Sequence, residues 1–157
     1  MNMATDVKFA IKDSIQNQVI TPVTVSDEMR DAFLKKSRSA SWKLLPVSII
    51  LCAVVLTIAF LIVYFLNRIL ISAIALLFVV MPFYAVYNIF ATAKAIKNQD
   101  YEFVSGQIVG KTDSGYQVRG LEGHNISPFI GKKDYNPGEQ VIVARLRDNL
   151  SLISEEK

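Results

Sequence analysis

The sequence predicts a membrane-embedded α-helical hairpin of two transmembrane helices, followed by a small all-β barrel. Residues 44–66 and 69–93 form two long runs without a charged side chain. After residue 97 the apolar pattern changes from helical spacing to alternation, with turn residues between short segments. Two uncharged runs of this length exclude an ordinary soluble domain and a disordered chain.

We therefore divide the 157-residue chain into three parts. Residues 1–43 form a cytoplasmic N-terminal arm with amphipathic helices, residues 44–97 form the hairpin, and residues 98–157 form a cytoplasmic β module.

The arm begins with a helical pattern, because Val7, Ala10, Ile11 and Ile15 recur at three- and four-residue steps. Residues 19–25 are β-branched and interrupted by a proline, which predicts an extended connector.

A second helix of the arm is predicted to start at Ser26, which is followed by two acidic residues. It would carry Met29, Ala32 and Phe33 on one face and end in a basic cluster. Two interpretations stay open: the helix lies on the inner membrane surface, or it docks a partner protein.

Both uncharged runs are long enough to cross a bilayer, because about 20 helical residues span a hydrocarbon core of about 30 Å. Pro46 would lie in the first turn of the first span, where the missing N–H costs little. Pro82 would lie within the second span and is a possible helix kink. Only Asn67 and Arg68 separate the spans, so the chain must return to its starting side.

Basic residues at the ends of the spans predict the orientation. Six flank the open end of the hairpin, whereas its tip carries Arg68 alone. The six are Lys35, Lys36, Arg38, Lys43, Lys94 and Lys97. This distribution predicts a multi-pass protein of the bacterial inner membrane with both termini in the cytoplasm.

The β module is predicted to contain about five short strands, each bounded by turn residues. They cover residues 101–111, 116–120, 126–130, 140–146 and 150–153. Strands of this number and length are typical of a small barrel of the OB or SH3-like kind. The expected core consists of Val104, Ile108, Val118, Ile130, Val141, Val143, Leu146 and Leu152.

The spacing of turns and strands in this module resembles the C-terminal barrel of NfeD-like membrane proteins. The similarity rests on residues 105–109, 116–120 and 137–143, and on a closing strand after Asp148 and Asn149. It implies a barrel without catalytic activity that works beside a stomatin- or flotillin-like membrane scaffold.

Catalytic and metal-binding residues are scarce in the sequence. His124 is the only histidine and Cys52, within the first span, is the only cysteine, so no zinc site is expected. Residues 131–133 (Gly-Lys-Lys) lack the rest of a phosphate-binding loop. We expect no catalytic residues, no metal and no cofactor.

Nucleic-acid binding is the natural alternative for an OB-like barrel, but the charge is unfavourable. Residues 98–157 carry seven Lys and Arg against nine Asp and Glu, and binding to a phosphate backbone requires a basic surface. We expect no nucleic acid among the partners.

The sequence thus favours a non-enzymatic membrane protein that presents a cytoplasmic barrel as a protein-interaction module. It would work in a larger membrane complex or a homo-oligomer, with Met29, Phe33, Tyr101 and Tyr135 as the candidate interaction surface. The alternative is a subunit that lines a pore or translocation route. A membrane-tethered ligand or nucleic-acid binder is the third possibility.

Overall fold

A computed structural model describes residues 3–66 and 78–154 of the chain. The chain divides into two compact units. The sheet unit combines Met1–Leu34 with Ala95–Lys157, and the helical unit is Lys35–Lys94. The helices are α1 (Met3–Gln16), α2 (Asp27–Leu66) and α3 (Val80–Lys97). The strands are β1 (Thr21–Pro22), β2 (Tyr101–Thr112), β3 (Gly115–Val118), β4 (Ser127–Ile130), β5 (Gln140–Leu146) and β6 (Asn149–Ile153).

The six strands form one mixed sheet in the order β1-β2-β5-β6-β4, and β3 pairs with β2 beside this path. All ladders are antiparallel except that between β4 and β6, which is parallel. The predicted closed barrel is corrected to an open sheet. β3 has four residues, and its ladder pairs it with β2. On the side of β4, one bridge joins Tyr116 of β3 to Ile126, the residue before β4, so the sheet does not close.

The strand prediction is otherwise close to the structure. Each of the five predicted segments contains a strand, and β5 covers the predicted residues 140–146. All eight predicted core residues are buried. Alternation succeeds here because one face of each strand packs against the core.

The sixth strand comes from the arm, in the segment that the sequence predicts to be an extended connector. Thr21 pairs with Ser105 and Pro22 with Val104, and the Val23 N–H donates to the carbonyl oxygen of Phe103 at 3.0 Å. Pro22 is tolerated because β1 lies at the edge of the sheet.

α1 is confirmed as an amphipathic helix, and the structure shows what covers its apolar face. Val7 and Ile11 are buried in one cluster with Ile20 of the arm and with Val104 and Val118 of the sheet. The arm therefore contributes directly to the core of the sheet unit.

The second helix of the arm and the first span were predicted as separate helices. In the structure they form one continuous helix of 40 residues, α2. Its start agrees with the sequence: the Met29 N–H donates to the hydroxyl of Ser26 at 3.3 Å. The predicted position of Pro46 is corrected, since it lies inside α2 and not in a first turn. A proline there removes one backbone hydrogen bond to the preceding turn.

α3 covers the end of the second predicted span, whereas residues 69–77 of that span and Arg68 at the tip lie outside the described residues. Pro82 is the third residue of α3, in its first turn, where the missing N–H of a proline costs little. The predicted kink at Pro82 stays a prediction, because most of the preceding part of the span lies outside the described residues.

Candidate functional site

The helical unit exposes a large apolar surface. On α2 the most exposed apolar side chains include Val47, Ile50 and Phe60, and on α3 they include Phe83 and Phe90. α2 is long and apolar enough to cross a membrane, and only 11% of its most apolar stretch is buried. The length and composition of this helix are compatible with a membrane span.

The described helices of this unit are joined at one end by a polar contact. The Ser41 hydroxyl of α2 and the Thr92 hydroxyl of α3 are buried and lie 3.0 Å apart, within hydrogen-bonding distance. Ser41 also donates to the carbonyl oxygen of Ser37 at 3.2 Å. The contact fixes which faces of the two helices meet near their polar ends.

The basic residues that predict orientation are exposed wherever the structure describes them. Four lie along two turns of α2, before its apolar stretch, and two lie near the end of α3. They are Lys35, Lys36, Arg38, Lys43, Lys94 and Lys97. Arg68 lies outside the described residues.

The candidate interaction surface requires a correction. Met29, Phe33 and Tyr135 are buried, and Tyr101 is half-buried. Phe33 makes edge-to-face contacts with Phe103 and Phe129, whose ring centroids are 5.7 and 5.8 Å away. Helical spacing identified an apolar face of α2, but the sheet unit itself covers this face. Phe33 is therefore out of a partner's reach while the unit is folded, whereas Met29 and Tyr135 are mostly covered but border a groove on the same unit.

A groove of about 910 Å³ lies on the sheet unit, beside the start of β5. Its lining includes the polar side chains of Lys132 and Glu139 and the apolar side chains of Val141 and Ile153. Lys132 donates to Glu139, and this hydrogen bond lowers the pKa of the Glu139 carboxyl, with help from the Asn136 N–H. The groove was not predicted, because residues 131–142, which form most of its lining, carry no motif, and Met29 and Ile153 come from other parts of the sequence.

Tyr135 lines the same groove but points its hydroxyl inward. This hydroxyl is buried and has no hydrogen-bond partner among the described residues. The Tyr135 N–H donates to the Tyr116 hydroxyl at 3.3 Å, and the Lys132 ammonium lies 5.2 Å from the centroid of the Tyr135 ring. The Tyr135 ring therefore lines the groove and lies under the ammonium of the adjacent Lys132–Glu139 pair.

A buried arginine holds several elements of the sheet unit together. Arg145 of β5 is 2% exposed and donates to Asp100 at 3.0 Å and to the carbonyl oxygen of Arg147 at 2.7 Å. Glu102 of β2 lies 3.3 Å from the same guanidinium, and Lys8 of α1 lies 2.8 Å from Asp100. Hydrogen bonds from Lys8 and Arg145 lower the pKa of Asp100. This network ties α1 to β2 and β5.

The other titratable side chains of the sheet unit do not form a catalytic or metal-binding cluster among the described residues. Asp134 pairs with Lys111 and Glu139 pairs with Lys132, so these carboxylates belong to separate ion pairs. His124 is half-buried in a loop. Within residues 3–66 and 78–154, no three His, Cys, Asp or Glu side chains form a group that could hold a metal ion.

Comparison of the chain with protein-family models, with curated proteins and with solved structures found no match. The resemblance of the sheet unit to NfeD-like barrels stays a prediction.

Proposed function

We propose that this chain is a non-enzymatic inner-membrane protein whose helical unit anchors a cytoplasmic sheet unit, which binds other subunits of a membrane complex. The observation that carries the proposal is the union of an exposed apolar helix, α2, with a sheet unit that has its own buried core. The helix supplies an anchor and the unit supplies a folded surface.

The connectivity of the sheet unit supports a hairpin with two crossings. The chain leaves this unit after Leu34 and has returned to it by Ala95. A folded unit lies on one side of a bilayer. If α2 crosses the membrane, the chain between Leu66 and Ala95 must cross back. The return crossing does not depend on the basic residues, which favour the cytoplasm as the side of both termini.

The strand pairing supports an OB-type interpretation of the unit. The five strands from β2 to β6 form an open set that contains one parallel ladder, and a single bridge connects the two ends of the set. OB folds are likewise partly open five-stranded barrels. The NfeD resemblance would add a stomatin- or flotillin-like scaffold as the partner.

We assign partner binding to the groove beside β5, because it is concave and combines charged and apolar side chains. Its Lys132–Glu139 pair is matched by the Lys111–Asp134 pair, which is also exposed on the sheet unit. The two pairs therefore provide a test variant and a control of the same chemistry.

The first experiment extracts the full chain in mild detergent, measures its size and identifies the proteins that co-purify. We expect a complex or homo-oligomer larger than one chain. Replacing Lys132 and Glu139 by alanine should reduce partner recovery, whereas replacing Lys111 and Asp134 should not. A monomer without partners would refute the proposed assembly role.

A second experiment tests the orientation in a Cys52→Ser background, since Cys52 is the only cysteine. A cysteine at Asn67 should react with an impermeant reagent added outside the cell, and one at Ser114 should not. The reverse pattern would place the sheet unit outside the cytoplasm.

A further inference from the structure

We infer that the basic face of α2 binds anionic phospholipid headgroups in preference to neutral ones. This inference rests on the proposed membrane location and adds a lipid specificity to it. The basic face is defined as Lys35, Lys36 and Lys43, and all three residues are exposed.

Helix geometry places the basic face away from the contact with α3. Ser41 marks the side of α2 that meets Thr92, 3.0 Å away. At about 100° per residue, the three lysines lie on the opposite half of the helix from Ser41. They extend over about 12 Å along the axis. Their side chains can therefore reach a surface that lies outside the helical unit.

The charges on this part of the chain are of one sign. No acidic residue occurs between Asp31 and Asp100, whereas the helical unit contains six Lys and Arg. Two of the three acidic residues at the start of α2 are engaged locally, because Arg30 pairs with Asp27 at 2.8 Å and with Asp31 at 3.1 Å. An anionic partner would complement this positive charge.

The position of the charge along α2 identifies the partner as lipid. Trp42 lies beside Lys43 and is 54% exposed, and the exposed apolar side chains begin at Leu44. A tryptophan and lysines next to an apolar stretch are typical of the level of the headgroups. Soluble anions would satisfy the charge but would leave Trp42 and the adjacent apolar surface in water.

Trp42 also provides the measurement, because it is the only tryptophan in the chain. The full chain is reconstituted into phosphatidylcholine vesicles that contain an equal fraction of either brominated phosphatidylglycerol or brominated phosphatidylcholine. We expect stronger quenching of Trp42 emission by the brominated phosphatidylglycerol. Each lysine near the surface favours anionic lipid by roughly fivefold at low ionic strength, so added salt should reduce the difference.

The variant K35Q/K36Q/K43Q should bring the two quenching values close together. The control variant K12Q/K111Q/K133Q removes the same charge from exposed lysines of the sheet unit and should keep the difference. Equal quenching of the unmodified chain by both lipids would overturn the inference and leave the membrane location intact. Absence of quenching by either lipid would refute the membrane location as well.

A further experiment adds glycerol phosphate in solution. If it abolishes the preference at constant ionic strength, the lysines bind a soluble phosphate and the assignment to bilayer lipid is wrong. Persistence of the preference supports the lipid.

Discussion

At the residue scale, Gly106 shows how closely the arm and the sheet approach each other. A β-carbon on Gly106 would lie 2.6 Å from Cγ1 of Val118 and 3.3 Å from Cγ2 of Ile20. Both neighbours are buried, so neither has free space into which to move. Ile20 and Val118 can therefore pack against β2 at this point because Gly106 has no side chain.

We expect Gly106→Ala to lower the free energy of unfolding by about 1–3 kcal/mol, because the added methyl overpacks the core. Chemical denaturation of the full chain, followed by circular dichroism, measures the change. Gly110→Ala is the control on the same strand, since its β-carbon would meet no atom closer than 3.8 Å. Similar losses in both variants would contradict the packing argument.

Asp100 is the second residue whose role is local and testable. Its folded pKa lies below the unfolded value because the charged carboxylate accepts hydrogen bonds from Lys8 and Arg145. The stabilisation is therefore fully present above the unfolded pKa of about 3.9, and it disappears as the pH falls through the folded pKa.

Asp100→Asn should destabilise the chain by about 1–3 kcal/mol at pH 7, because Arg145 loses a charged partner. The difference from the unmodified chain should shrink as the pH falls below about 4. Denaturation midpoints measured across this pH range provide the test, with the exposed turn residue Asp113→Asn as the control. A difference independent of pH would show that the carboxylate charge is not responsible.

At the element scale, α1 shows which structural features the periodicity of a sequence can predict and which it cannot. The spacing of apolar residues correctly predicts a helix and its buried face, since Val7 and Ile11 are buried. It does not predict what covers that face, because amphipathicity is the same whether the helix packs on lipid, on a partner or on its own chain. The covering residues, such as Val104, are distant in sequence.

Ile11→Ala should cost about 2–5 kcal/mol, because Ile11 is fully buried in the main cluster of the sheet unit. Phe9→Ala on the same helix should change stability by less than about 0.5 kcal/mol, because Phe9 is 69% exposed. Unfolding of the full chain in detergent compares the two. A neutral Ile11→Ala would mean that α1 does not belong to the cooperative core.

The same limit of sequence periodicity explains why the groove was not predicted. Helical spacing correctly places Phe33 on an apolar face of α2. The groove arises only when Lys132 and Glu139 lie beside Val141 and Ile153, and this proximity follows from strand pairing. Turn residues predict where strands end, but they do not specify which strands become neighbours.

At the scale of the whole molecule, the sheet unit is built from two segments that flank the helical unit. β1 pairs with β2, and Lys8 of α1 pairs with Asp100. Contacts within the sheet unit should therefore hold the two halves of the chain together even without a covalent connection through the helical unit.

We expect a protease site inserted after Arg68 to yield two fragments that stay associated after cleavage. Affinity capture through a tag on the C-terminal fragment in mild detergent, followed by electrophoresis, measures the association. The fragments should separate more readily when Ile11→Ala is combined with the cut, but not with Phe9→Ala. Separation of the unmodified fragments would contradict a shared core.

The two-segment core also affects the order of events during synthesis. Ile11 leaves the ribosome early, whereas Val143 and Leu152, which belong to the same cluster, are made more than a hundred residues later. At about 5–20 residues per second the delay is on the order of ten seconds. During that time the apolar face of α1 lacks its native cover, so a chaperone that binds apolar segments would protect the nascent arm.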